Sequence, residues 1–328
     1  MMKYNYLGHG ILHKDKVRHL LFSDDGHFCY SAGWDKTIVK WNIKQIKDQN
    51  IYPEWRFWGH NAPVSAIVII FPESLLISGD KKGFLFVWDT NKGNLILQTK
   101  TLHPKITALT VSKEFTSNLP IKFYSGGSDG KITLWELFRN LEIANKPWNI
   151  RKIKIFSGPS QPIHQIREDL IHNRLICSGD ESLVYIWDIG KHESPPITLS
   201  YPEKIIFSFD LAISKDMGLI LCGGQKKALY LIEYIQNTPA ILLDRVKTSA
   251  PISSIRYNPE IQQWLVCDFK GCFSIYSIKN EKILKENDFI LENLQNMLFI
   301  GLNRDWRYLA VSSCSDLTHQ IQFFRQLN

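Results

Sequence analysis

The sequence predicts an all-β chain assembled from one repeated unit, and three observations carry that expectation. Ser31 to Asn42, Ser-Ala-Gly-Trp-Asp-Lys-Thr-Ile-Val-Lys-Trp-Asn, reads as a strand, a tight turn through Gly33 to Asp35 and a second strand ending at Trp41, which is a β-hairpin pattern. Near-copies follow at Ser78–Asp89, Ser125–Glu136 and Ser178–Asp188, and their tryptophans, Trp41, Trp88, Trp135 and Trp187, are 47, 47 and 52 residues apart. That interval matches one four-stranded propeller blade. Divided by roughly 45 residues per blade, the 328 residues accommodate seven blades and leave no room for a second domain, so residues 1–328 are expected to form a single domain.

Within each hairpin the turn Asp can accept backbone N–H bonds, and the Trp offers one donor and a large apolar face. A His precedes the next apolar strand in three units: His13 before Val17, His60 before Val64 and His103 before Ile106. With these residues in place, the chain resembles the WD40 repeat family, most specifically over residues 1–190. The resemblance implies a seven-bladed WD40-type β-propeller with an N-terminal strand closing the last blade. It also implies a His, Ser, Asp and Trp tetrad in each complete blade: His13, Ser31, Asp35 and Trp41 in blade one, and His103, Ser125, Asp129 and Trp135 in blade three. Blade two has His60, Ser78 and Trp88, but Lys82 stands at the Asp position. That predicts a missing acceptor and a stabilising effect of Lys82→Asp.

In chain order, residues 3–12 are extended and belong to no blade of their own, whereas residues 297–326 supply only three strands. The two are expected to pair, hiding sheet edges that an open array would expose. Blade one runs to about Trp58, blade two to Leu102, and blade three to about Phe156. Blade three carries two additions, Lys113–Leu119 and Phe138–Lys154, long enough to suggest functional loops. Blade four, to about Ser200, keeps Trp187-Asp188 but has Pro159 where the His belongs and a turn one residue shorter. Blades five to seven rest on spacing and strand alternation, with Leu229–Glu233, Phe273–Ser277 and Gln320–Phe324 as their third strands and no tetrad.

Composition bounds the function. The chain is 44% hydrophobic and 12% aromatic, which suits a substantial core; residues 1–20 carry no apolar signal segment, and no run of eighteen apolar residues occurs. Cys177, Cys222 and Cys267 recur at 45-residue intervals, as separate buried thiols in successive blades would. With no Asn-X-Ser/Thr sequon, an intracellular location, cytoplasmic or nuclear, without membrane insertion, is expected. No phosphate-binding Gly loop, Cys-X-X-Cys, His-Glu-X-X-His or Gly-X-Ser-X-Gly occurs. His9 and His13 lie about 13 Å apart on an extended segment, too far to share a metal. No catalytic residue, metal or cofactor is expected, and the chain reads as a non-enzyme.

Charge is unevenly placed. Residues 1–156 hold 22 Lys and Arg against 13 Asp and Glu, and residues 157–328 hold 17 against 19. The basic half either solubilises exposed edges or meets an acidic partner. In the WD40 family, partners dock on the narrower face through residues beside the first apolar residue of each inner strand and just before the turn Asp. Carried over, those positions are Lys16, Arg18, Trp34, Lys81 and Lys105 on a basic side, Phe207, Phe269 and Leu298 on an apolar side, and Glu181 in blade four. The expected function is a non-catalytic scaffold docking a peptide or subunit there, acidic with apolar anchors. The alternative is an RNA- or ribonucleoprotein-associated propeller using the basic surface of blades one to three against phosphates. The Trp-Asp-X-Arg sequence used by family members that recruit ubiquitin-ligase substrates is replaced by Asp89-Thr90-Asn91 and Asp188-Ile189-Gly190.

Overall fold

Short runs rich in Val, Ile, Leu and aromatic residues, punctuated by Gly, Asp and Asn turns, form strands wherever one face can be buried. In the computed structural model every such run does so. It describes residues 3–71, 74–112, 120–139, 148–191, 195–200, 205–234, 240–291, 297–313 and 319–327. The strands form five separate four-stranded antiparallel sheets and one eight-stranded sheet, which is blade one and blade seven joined edge to edge. The seven innermost strands are Val17–Phe22, Val64–Ile70, Ile106–Val111, Ile163–Asp169, Ile206–Ile213, Ile252–Asn258 and Met297–Leu302. Each packs against the next, and the last packs against the first, so the blades close into a seven-bladed ring around a channel.

The core lies between blades. Each sheet buries both faces, and large side chains from one blade seat on the tryptophan of the next: Phe57 on Trp88, Phe156 on Trp187, and Phe323 on Trp41, with ring centroids 5.7, 6.1 and 6.3 Å apart. Burying such aromatic pairs is a large apolar contribution at these three seams.

Closure follows the sequence expectation and adds a second lock. Tyr4–Gly10 pairs antiparallel with Ile321–Gln326 as the outer strand of blade seven. In blade one the strands Ile38–Lys47 and Asn50–Phe57 form a long hairpin whose tip reaches that closing strand, where the His9 N–H donates to the Gln49 carbonyl at 2.9 Å. Ile43 and Ile51 from this hairpin are buried in one cluster with Phe323. Only glycine allows the approach: a Cβ on Gly8 would lie 2.5 Å from the Gln49 carbonyl oxygen, and one on Gly10 would lie 2.6 Å from the Trp41 ring.

The tetrads hold the hairpins upright. In blade one the Trp41 indole donates to Ser31 Oγ at 2.8 Å, the Ser31 hydroxyl meets His13 Nε2 at 2.7 Å, and His13 Nδ1 meets Asp35 at 3.0 Å. Blade three repeats this with Trp135, Ser125, His103 and Asp129 at 2.8, 3.0 and 2.9 Å. Because Trp can only donate and the carboxylate only accept, the serine oxygen accepts from the indole and the His Nδ1–H donates to the Asp. Burial alone would raise the Asp35 pKa. The His13 bond, the Lys14 N–H and the Thr37 hydroxyl outweigh it and hold that carboxyl at about 2.

Blade two corrects the expected gap. Its tetrad is complete, because Asp80, two residues before Lys82, takes the acceptor role: His60 Nδ1 lies 3.1 Å from Asp80, His60 Nε2 lies 2.7 Å from Ser78, and Trp88 donates to Ser78 at 2.8 Å. Asp80 also accepts the N–H groups of Lys82 and Phe84 at 2.9 and 3.0 Å, so the carboxylate is satisfied from within its own turn. Asp80→Ala should therefore cost about as much as Asp129→Ala, roughly 1–3 kcal/mol, by stranding buried donors. Lys82 is exposed, and Lys82→Asp should stay within about 0.5 kcal/mol instead of stabilising. Urea denaturation of the three variants checks this ranking, and a clear gain from Lys82→Asp would contradict the observed register.

Three further assignments shift. Leu175 pairs with Trp187 as Cys29 pairs with Trp41, which places Cys177, not Ser178, at the tetrad serine position of blade four. Cys222 takes that position in blade five, while Cys267 lies one residue beyond it in blade six. Both Cys177 and Cys267 are buried, and burial raises their thiol pKa. Blade six retains part of the network expected to be lost: Asp268, aligned with Asp80, accepts from Ser249 Oγ at 2.9 Å and from the Lys270 and Cys272 N–H groups. In blade three, Phe138 and Arg139 extend the third strand and Trp148–Phe156 forms the outer one. The expected insertion thus shrinks to 140–147, which, with 113–119, lies outside the described residues.

Candidate protein-docking face

One backbone device builds the same platform around the ring. In every blade the ladder between the first and second strands slips by one residue, and the skipped positions are Arg18, Ser65, Thr107, His164, Phe207, Ser253 and Leu298. A bulge turns its extra residue out of the pleat and re-aims the side chain. A second contact fixes the adjoining turns: the N–H groups of Trp34, Lys81, Ser128, Asp180, Gln225 and Phe269 donate to the carbonyls of Lys16, Pro63, Lys105, Pro162, Ile205 and Pro251, all between 2.9 and 3.2 Å. Bulge and turn residues consequently share one face in six blades.

On one side of this face the Trp34 ring gathers cations. Lys81 Nζ lies 3.6 Å from a ring centroid of Trp34, Lys16 Nζ 5.6 Å away and the Arg18 guanidinium 5.5 Å away, all within cation–π range. Trp34 is half-buried, so it serves as a platform that positions three charges and is not a free-standing ring. Burial first, then the charges of Arg18 and Lys105, lower the Lys81 pKa against the opposing pull of Asp15. This crowding favours a negatively charged group from outside.

The opposite side is apolar. Phe207 and Phe269 pack edge to face with centroids 5.5 Å apart, and His164 lies beside Phe207 at 6.2 Å. His164 Nε2 is 2.6 Å from Asp180. Asp180, and not Glu181, thus occupies the turn position in blade four. Glu181 instead secures the loop through the Ser160 N–H and hydroxyl, both at 2.6 Å, and the Tyr185 hydroxyl. Leu298 is the bulge residue of blade seven, but its side chain lies outside the described residues. Phe299, absent from the sequence-based set, lies 4.8 Å from the Arg18 guanidinium and stacks on His19 at 5.9 Å. The ladder slips at Leu298, one residue before it, so strand alternation alone misassigns its face.

Among the described residues no three His, Cys, Asp or Glu side chains converge in a way that could hold a metal ion. The face presents a cationic, aromatic-backed half and an apolar half on one closed ring.

The ring of four-stranded blades with its Trp–Ser–His–Asp networks defines a WD40-type β-propeller. A family model described as "WD domain, G-beta repeat" matches residues 3–42. The WD repeat-containing protein 55 homolog of Drosophila melanogaster is 25% identical over 278 residues, covering 84% of this chain and 53% of that protein. Beige protein homolog 1 of Schizosaccharomyces pombe is 21% identical over 267 residues, 79% of this chain and 9% of that protein. The chain thus spans about half or less of the length of these relatives. A chain from a crystal structure of the mitotic checkpoint complex superposes with a TM-score of 0.75 at 16% identity, over 98% of this chain and 93% of the other. The chain is thus similar to WD40 repeat proteins, with the repeat itself matched over residues 3–42.

Proposed function

We propose that this chain is a non-catalytic interaction subunit that docks a segment of another protein across the face formed by the bulge and turn residues. The observation that carries the reading is the division of that face. Three cations converge on Trp34, and a Phe207–Phe269 pair stands opposite. A partner segment fitting it carries an acidic end over Lys16, Arg18, Lys81 and Lys105 and one or two bulky apolar residues over the phenylalanines. The buried thiols Cys29, Cys177 and Cys267, none of them in a disulfide, suit a reducing compartment inside the cell.

Rim charges act mainly on association rate, and their contribution is screened by salt. The double reversal Lys16→Glu with Lys105→Glu should weaken partner recovery by roughly tenfold at low salt, with a smaller difference at high salt. Co-purification from source cells at two salt concentrations, read by mass spectrometry, provides the test. Recovery of an unchanged protein set by the double variant would defeat the docking assignment. Recovery dominated by RNA, lost steeply with salt, would favour phosphate backbone binding instead.

A further inference from the structure

We infer that the channel enclosed by the inner strands contains a binding site for a phosphate-class oxyanion, centred on Arg256. The pairing registers place Leu21, Val68 and Thr110 of blades one to three at the same depth as Arg167, Asp210 and Arg256 of blades four to six. Two guanidiniums from neighbouring blades therefore flank a single carboxylate. That carboxylate is already engaged: Asp210 Oδ1 accepts from Arg167 Nε at 3.0 Å, and Oδ2 accepts the Tyr257 N–H at 2.9 Å. Arg256 donates to the Ile255 carbonyl at 2.8 Å. Among the described residues no carboxylate forms an ion pair with it.

The remaining acids of the inner strands offer no relief. Glu168 accepts from Ser112 and Tyr124, and Asp169 from His172 and Tyr234. Nor does His19 add a compensating group. Burial brings its pKa to about 4 despite its bond to the Ser65 carbonyl, and Arg18 and Arg256 both oppose its protonation. Burial, then the facing Arg167, similarly lower the Arg256 pKa to about 10, with Asp210 opposing. Two guanidiniums, Arg167 and Arg256, thus meet one carboxylate at this depth of the channel. A partly desolvated guanidinium without an anion is costly, and its planar fork matches two oxygens of a tetrahedral oxyanion. The excess of positive charge at this depth favours an anion there.

The inference goes beyond the docking proposal and does not depend on it, since a face that recovers no protein leaves the channel chemistry unchanged. The test titrates the full chain with sodium phosphate and with sodium tripolyphosphate, against sodium chloride at matched ionic strength, following melting temperature and heat of binding. Both phosphate probes should raise the melting temperature saturably where chloride does not. Arg256→Gln should weaken the apparent affinity at least tenfold. Asp210→Asn, which removes the competing carboxylate, should strengthen it at least threefold. Equal affinity for the two probes identifies free phosphate as the ligand type, and tighter tripolyphosphate binding identifies the end group of a small polyphosphate. Responses equal to chloride, an unaltered affinity in Arg256→Gln, or weaker binding in Asp210→Asn would each overturn the site. Should Arg256→Gln fail to fold, the direction of the Asp210→Asn change decides.

Discussion

Removal of residues 1–12 should leave a chain that aggregates or melts far below the intact protein. The deletion strips the outer strand from Ile321–Gln326, a six-residue partner whose N–H and C=O groups then face solvent. It also removes the Tyr4 hydroxyl bond to the Trp306 carbonyl at 2.7 Å, the Tyr4 stack on Phe289, and the His9 bond to the blade-one hairpin. At about 1 kcal/mol for each net hydrogen bond, plus the burial lost around Tyr4 and Leu7, the cost is roughly 5 kcal/mol or more. That is comparable with the whole stability of an ordinary domain. Gly10→Val provides a gentler probe, because its side chain would collide with the Trp41 ring while the strand remains. Thermal and urea unfolding should rank the deletion well below Gly10→Val, and both below the intact chain. A deletion variant that stays soluble with an unchanged melting temperature would show that the ring does not need this strand.

The same residues show why the fold was legible in the sequence and parts of the site were not. Tryptophans at intervals of 47, 47 and 52 residues report blade period directly, because each fills one seam and the first three also donate to a serine. The acceptor of blade two was misplaced because a turn can supply its carboxylate from either of two positions. Asp80 reaches His60 from the position that Gly33 occupies in blade one, yet both solutions satisfy the same ring nitrogen. Ser78-Gly79-Asp80 was the available signal, and Ser178-Gly179-Asp180 repeats it in blade four. The channel layer left no such trace. Arg167, Asp210 and Arg256 sit in strands of different composition, and only the ladder registers put them at one depth. Phe299 escaped for a related reason, since a bulge breaks the two-residue alternation on which face assignment rests.

On the docking face the largest expected loss comes from the aromatic side. Phe269→Ala should reduce partner affinity by roughly thirtyfold or more, the scale of a buried aromatic anchor worth about 2 kcal/mol. Phe207 and Phe269 are half-buried and lean on each other, so little extra side-chain freedom is lost when a partner covers them, and most of the gained burial counts toward affinity. Trp34→Ala should act differently. Its ring holds Lys16, Arg18 and Lys81 in place, and its removal frees those cations while preserving their charge. The variant should bind more weakly and should also become more sensitive to salt than the intact chain, whereas Phe269→Ala should leave the salt dependence unchanged. Neither substitution touches a tetrad, so both variants should fold, as far-ultraviolet circular dichroism and melting would verify. Affinity measured at two ionic strengths separates the two behaviours. Retention of full partner binding by both variants, with loss in variants altered at 140–147, would move the interface from this face to the loop of blade three.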